Sequence, residues 1–298
     1  MKSGWLALRC LVMLLVSPVT RGATAGPVGE QVGPWREQIH WVPMRDAVGV
    51  EHLLYTRVCR PQTEERARVV LINHGSPPDP SARATMQPSN CASETVAWFL
   101  SHGFVVVLGM RRGYGATRGA WAEGFGNCSA DGYAAAGLES ARDIAALVAY
   151  ATTLPFARAD GVVVVGHSAG GWATDAYDSQ PHPQVVAMVS MAGGRGGHYK
   201  MQANNNCQPE ELIRAAGVYG RTATTPMLWV YAENDSFFSP AMASAMYKAF
   251  TEAGGKAELI QTGAFGSDGH SLFTGRNGSP IWGPMIERYL AERGVSVR

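Results

Sequence analysis

Ser168 stands in Gly166-His167-Ser168-Ala169-Gly170, directly after Val162-Val163-Val164-Val165. A hydroxyl becomes a usable nucleophile when a sharp strand-to-helix turn lifts it clear of the sheet edge, and glycines two residues to either side allow that turn without Cβ clashes. Such a serine needs a base to take its proton, and an imidazole base needs a carboxylate to hold its tautomer and stabilise the imidazolium. His270, in Gly266-Ser267-Asp268-Gly269-His270, is the one histidine C-terminal to His198 and follows the apolar segment 257-261, which marks it as the expected base. Asp235 follows segment 226-232 in Ala232-Glu233-Asn234-Asp235, where the acid belongs in the chain order serine, acid, histidine. Glu233 and Asp268 are its competitors. Asp268, two residues from His270 in a tight turn, is expected to shape its own loop rather than reach Nδ1.

The tetrahedral intermediate of such chemistry carries an oxyanion that backbone N–H groups can hold. Ala169 N–H, opening the helix after the nucleophile, is one expected donor. The other is expected from His74-Gly75-Ser76-Pro77-Pro78, where Ser76 N–H is available and the two prolines have none. His74 is expected to brace that loop, with a packed strand-end residue as the alternative.

Positioning these residues requires a sheet. Residues 38-44 and 51-59 alternate as half-buried strands, with Arg45 to Gly49 as their turn. The short apolar runs 68-73, 103-109, 161-166, 184-191, 226-232 and 257-261 read as strands buried on both faces, and thus as a mostly parallel sheet covered by helices. Helical stretches fall at 91-101, 131-153, 168-179, 240-254 and 281-293, with a shorter one at 209-216. In the second, Leu138, Ala141, Ile144, Ala145, Val148 and Ala151 recur at helical steps. The long connection from Gly193 to Thr225 reads as a small cap insertion over the site. The fold class is α/β, a mostly parallel central sheet with helices on both faces.

With 298 residues, 46% hydrophobic and 16% charged, the chain can bury one large core, and residues 26-298 read as one domain. Lys+Arg 25 against Asp+Glu 24, without charge blocks, excludes an electrostatic case for nucleic acid or an anionic membrane and leaves a small-molecule partner. Residues 1-25 read as a cleaved secretory signal: Lys2 and Arg9 flank an apolar run from Cys10 to Val16, and Ala23-Thr24-Ala25 supplies the small residues of a cleavage site. That run is too short to span about 30 Å of hydrocarbon, so no stable membrane insertion is expected and the location is periplasmic or secreted. Cys59, Cys91, Cys128 and Cys207 remain, an even number in a disulfide-permissive compartment; their spacing fits no zinc pattern. Cys128 to Cys207 is the expected bridge.

Other residues carry weaker signals. Arg111-Arg112-Gly113-Tyr114-Gly115 reads as a glycine-eased turn with solvated arginines, or else as a holder of a substrate carboxylate. Gly193-Gly194-Arg195-Gly196-Gly197 lacks the Lys-Ser/Thr of a phosphate loop and reads as a hinge. Trp172, Tyr177, Trp229 and Phe265 read as core, with the pocket wall as alternative. Asn127-Cys128-Ser129 and Asn277-Gly278-Ser279 fit the glycosylation pattern.

The stretches Arg60-Pro61, Val70-Leu71-Ile72-Asn73-His74-Gly75-Ser76, Arg112-Gly113-Tyr114-Gly115, Gly166-His167-Ser168-Ala169-Gly170-Gly171, Asp235 and Asp268-Gly269-His270 together resemble the dienelactone hydrolase-like branch of the α/β-hydrolase superfamily, which includes secreted esterases and relatives of prolyl-oligopeptidase-type peptidases. The resemblance implies an α/β-hydrolase fold and a Ser168, His270, Asp235 acyl-enzyme mechanism without a cofactor. Dienelactone hydrolases proper use a cysteine where this chain has Ser168, which favours ordinary ester hydrolysis. An exopeptidase or amidase with the same triad is the rival expectation, and a non-catalytic binding module on this scaffold the third.

Overall fold

Near-continuous β-branched runs are stable only where helices cover both faces of the sheet they form. The computed structural model describes residues 26–297, so the expected signal at 1-25 lies outside the described residues. Eight strands, β1 (Gln38–Arg45), β2 (Glu51–Cys59), β3 (Ala67–Asn73), β4 (Val105–Gly109), β5 (Ala157–His167), β6 (Val185–Met191), β7 (Met227–Ala232) and β8 (Ala257–Thr262), form one sheet in the order β1-β2-β4-β3-β5-β6-β7-β8. β1 and β2 pair antiparallel, as do β2 and β4, and the remaining neighbours are parallel. The β1–β2 turn closes on Asp46, whose Oδ1 accepts from Val48 N and Val50 N.

The helices are α1 (Glu94–Ser101), α2 (Ala130–Ala151), α3 (Ala169–Asp178), α4 (Pro209–Gly220), α5 (Pro240–Glu252) and α6 (Ser279–Ala291). α2 starts where Ser129 Oγ accepts from Gly132 N, and α5 where Ser239 Oγ accepts from Met242 N just before Pro240, both ordinary N-cap chemistry. Alternate strand residues divide the core. Leu71, Val164 and Trp229 pack with α2 to α5 on one face, while Val70, Val163 and Leu228 pack with α1 and α6 on the other. In α2 the buried stripe includes Ala141, Ile144, Leu147, Val148 and Ala151, whereas Ala145 is exposed. Among the described residues no helix is long and apolar enough to cross a membrane.

The expected bridge Cys128–Cys207 is present, and Cys59–Cys91 is the second. Cys128–Cys207 ties the entrance of α2 to the connection that leads into α4. That connection divides in two. Gly194 to Gly197 border the cavity beside Ser168, while α4 packs on α2 and α5 in the helical layer.

The strand order explains where the site forms. The chain runs from β3 to β4 on one side and then crosses back to β5 on the other, so β3 is a topological switch point, and crevices open at the carboxyl ends of strands there. The register pairs Asn73 of β3 with Gly166 of β5. His74-Gly75-Ser76 and Ser168 therefore leave the sheet side by side.

Candidate active site

Ser168 adopts φ 56° and ψ −121°, a left-handed conformation that costs a non-glycine residue on the order of 1–3 kcal/mol and persists only where the surroundings enforce it. Here Ser168 N donates to Met191 O at 3.0 Å, and Ser168 O accepts from Trp172 N and Gly194 N. Gly166 and Gly170 make the turn possible: a Cβ on Gly166 would collide with Gly170 O, and one on Gly170 with the carbonyls of Asn73 and His74. Ser168 and Ala169 border a cavity of about 90 Å³.

His270 and Asp235 come together from different loops. His270 Nδ1 lies 3.1 Å from both carboxylate oxygens of Asp235. Asp235 is buried, and its Oδ1 also accepts from Phe237 N at 2.8 Å and Phe238 N at 2.9 Å. With its acceptors committed this way, Nδ1 carries the hydrogen and Nε2 is left as the acceptor, the tautomer a general base requires. The Phe237 ring stacks on the imidazole at 4.1 Å. Asp268 instead takes His270 N and Ser236 N on Oδ1, at 3.0 Å each, and the Ser236 hydroxyl on Oδ2 at 2.6 Å. It shapes the loop and makes no bond to the ring. Glu233 is exposed.

Ser168 Oγ makes no hydrogen bond to His270 among the described residues; the two are linked through His167. His167 Nε2 lies 2.8 Å from His270 O. Burial, reinforced by the nearby His270, pushes the His167 imidazole down to about 4, so it is neutral and donates to that carbonyl. The residue before Ser168 thus anchors the loop that carries His270.

The loop after β3 is braced from behind. His74 Nδ1 lies 2.7 Å from Gly75 O, and Nε2 accepts from Arg111 N at 3.1 Å. Burial first, then the Arg111 charge, pushes His74 down to about 3, so the ring is neutral with its hydrogen on Nδ1. Both nitrogens are engaged in holding backbone. Arg111 Nη1 also donates to His74 O at 2.7 Å, and Tyr114 OH lies 2.9 Å from Ser76 Oγ. Ser76 borders the same cavity as Ser168 and Ala169.

The expectation of solvated arginines at 111 and 112 is corrected. Arg111 is 0% exposed and Arg112 is also buried. Arg111 pairs with Glu123, and Arg112 with Asp143 at 2.7 Å and Glu139 at 3.0 Å. The desolvation cost of buried guanidinium groups requires such partners, and these sit 12 residues from Arg111 and 27 and 31 from Arg112, beyond the reach of local pattern. The glycine-rich segment is likewise no free hinge, since Gly193 O accepts from Tyr231 OH and Gly196 O from Cys207 N. Within it, Arg195 is buried and pairs with Glu123. Burial would raise the Glu123 carboxyl, but Arg111 and Arg195 hold it well below the usual carboxylate range. The pocket aromatics are Trp121, Phe125, Phe237 and Phe238; Trp172, Tyr177 and Trp229 are core. Arg83, Arg195 and these four aromatics escaped sequence reasoning. Their only local signal is proximity to Gly and Pro turns.

The family model described as X-Pro dipeptidyl-peptidase (S15 family) matches residues 49–217. A comparison with curated proteins gives no match. Solved structures share the fold. An acylaminoacyl peptidase from Pyrococcus horikoshii superposes with a TM-score of 0.60 at 16% identity over 88% of this chain, which spans only 42% of that protein's length. Acetyl xylan esterase 1 from Thermoanaerobacterium sp. gives 0.58 at 17% identity, covering 90% of this chain and 87% of that one. A protein assigned as a dienelactone hydrolase from Klebsiella pneumoniae gives 0.54 at 12% identity, covering 86% and 99%. The fold is that of the α/β-hydrolases, and these neighbours include the esterase, peptidase and dienelactone hydrolase types that the sequence resembles.

Proposed function

We propose a function for a chain that belongs to the X-Pro dipeptidyl-peptidase (S15) family and has the α/β-hydrolase fold: it is an exported serine hydrolase that cleaves carboxylic esters. The observation that carries the reading is the bond from His270 Nδ1 to a buried Asp235, set beside a serine held at a strained strand-to-helix turn. Ser168 Oγ attacks the ester carbonyl carbon while His270 Nε2 takes its proton. The Ser76 and Ala169 amides receive the oxyanion, and Asp235 stabilises the imidazolium. Collapse of the intermediate breaks the bond to the alcohol, which leaves with the proton from His270. Water then attacks the acyl-enzyme, with His270 as base again, and releases the acid and Ser168.

Peptidase action is the second reading, favoured by the family match. A dipeptidyl-peptidase must recognise a free α-ammonium, which calls for a carboxylate in the pocket. The charged residues that border this cavity are Arg83 and Arg195, with no acid among the described residues; that supports the ester. The two disulfides support export to an oxidising compartment. A fluorophosphonate probe should label Ser168 and not the Ser168→Ala variant; an unlabelled folded protein would sink the hydrolase reading. Turnover of short acyl esters against aminoacyl-prolyl anilides then decides between the two, and faster anilide cleavage would make it a peptidase.

A further inference from the structure

We propose that the cavity beside Ser168 binds an anionic group of the substrate, a carboxylate, through Arg83 and Arg195. The inference rests on the esterase reading and names the substrate class of that same site. Arg83, in the turn Pro80–Thr85, lays its guanidinium 3.4 Å over the Trp121 ring. It makes no ion pair among the described residues, and its buried Nε has no hydrogen-bond partner. Arg195 is more deeply placed: its Nη2 reaches Glu123 and lies 3.4 Å from Ser140 Oγ, while its buried Nε is also unpartnered. Glu123 is shared with Arg111 and lies 2.9 Å from Tyr114 OH. One carboxylate therefore serves two guanidinium groups, Arg111 and Arg195, and Arg83 adds a further positive charge beside Arg195 at the same cavity.

Arg195 is buried and shares its one counter-ion with Arg111, whereas Arg83 is half-buried and has no ion pair among the described residues. Positive charge is thus in excess at the cavity and an arriving anion offsets its cost; a guanidinium presents its N–H groups in a planar fork that fits a carboxylate. Phe125, Phe237 and Phe238 wall the same space and lower the local dielectric constant, which strengthens the pairing. Trp121 fixes the plane of Arg83 from one side. The cavity of about 90 Å³ opens to solvent and has room for a small acid group on a short chain. The product state of such a reaction from a dicarboxylic half-ester is a free diacid.

The test compares monoethyl succinate with diethyl succinate by acid release, together with calorimetric titration of succinate at low salt, a binding measurement that needs no turnover. The wild type should prefer the monoester by roughly tenfold or more in kcat/KM and bind succinate, as one charge-assisted contact implies. Arg83→Gln should lose at least about tenfold in both, Arg83→Lys should retain part, and Arg221→Gln, an exposed arginine after α4, should match the wild type. A monoester preference that is absent, or succinate affinity equal in wild type and Arg83→Gln, overturns the proposal. If the fluorophosphonate probe fails to label Ser168 while Arg83-dependent succinate binding persists, the esterase reading falls and the anion site stands.

Discussion

Replacing Glu123 with Gln removes one negative charge while keeping the side-chain shape, and the structure makes that charge the counter-ion of two buried arginines. Glu123 and Arg111 are both 0% exposed, Arg195 is 3% exposed, and Arg111 Nη2 lies 3.4 Å from Glu123 Oε2. At an effective dielectric constant near 20, one such pair is worth about 4 kcal/mol in Coulomb energy at 4 Å. Removing one partner of a buried pair typically costs about 3–5 kcal/mol, because the other charge stays buried. We expect Glu123→Gln to lose about 3–5 kcal/mol in urea unfolding, out of a usual total of roughly 5–15. The matching fall in Tm is about 6–20 °C, at 2–4 °C per kcal/mol for a domain of this size. Tyr114→Phe, which removes a hydroxyl shared between Ser76 and Glu123 and accepting from Trp121 Nε1, should cost about 1–2 kcal/mol. Activity should fall with Glu123→Gln as well, since Arg111 holds His74 by both backbone and side chain. A loss below about 1 kcal/mol would refute the counter-ion role.

Asp235→Asn should lower kcat by on the order of 10⁴-fold, while exposed Glu233→Gln should change it less than about twofold; the reverse in ester assays would reassign the acid. Burial holds His167 neutral down to about 4 in the folded chain, against an ordinary value of 6.5, so the unfolded chain binds the extra proton between those values and stability falls as pH drops through them. His167→Gln should flatten the dependence of unfolding free energy on pH in that window by up to about 1.4 kcal/mol per unit, and an unchanged slope would show that His167 is charged in the native state. Cys128→Ser with Cys207→Ser opens a bridge of separation 79, and Cys59→Ser with Cys91→Ser one of 32; chain entropy puts both losses at about 4 kcal/mol, the first slightly larger, and a reversed order in urea unfolding would count against that account.

What could be read from sequence divides along the range of the forces involved. Strand and helix positions followed from local periodicity, and the β1–β2 turn from Asp46 and Gly49. Asp268 was legible as far as it is local: its carboxylate takes the His270 amide within its own turn, while its bonds from Ser236, 32 residues away, lie outside that range. The environments of Arg111 and Arg112 were not, because each is buried by a carboxylate supplied from a distant segment. Ala145 fits the helical pattern of α2 yet is exposed, because an alanine suits either face, whereas Asp143 occupies a buried position only through Arg112. The segment at 193–197 misled in the same way, since its glycines indicate freedom and the contacts from Tyr231 and Cys207 that remove it come from elsewhere in the chain.

This division bears on how the site can change. Ser168 is held by its own turn, Asp235 by the amides of Phe237 and Phe238, and His270 by Asp268 and His167. Those supports come from the sheet ends themselves. The charges at the cavity depend on different segments: Arg83 on the turn after the β3 loop, Arg195 on the connection after β6, and Glu123, the counter-ion behind Arg195, on the approach to α2. Arg83 has no carboxylate partner to strand among the described residues, so exchanging it should alter substrate charge preference at little cost in stability. Arg195 cannot be exchanged so freely, because its loss would leave Glu123 with Arg111 alone and reset the brace behind His74. Charge selection at this site is therefore adjustable from the Arg83 side and fixed from the Arg195 side.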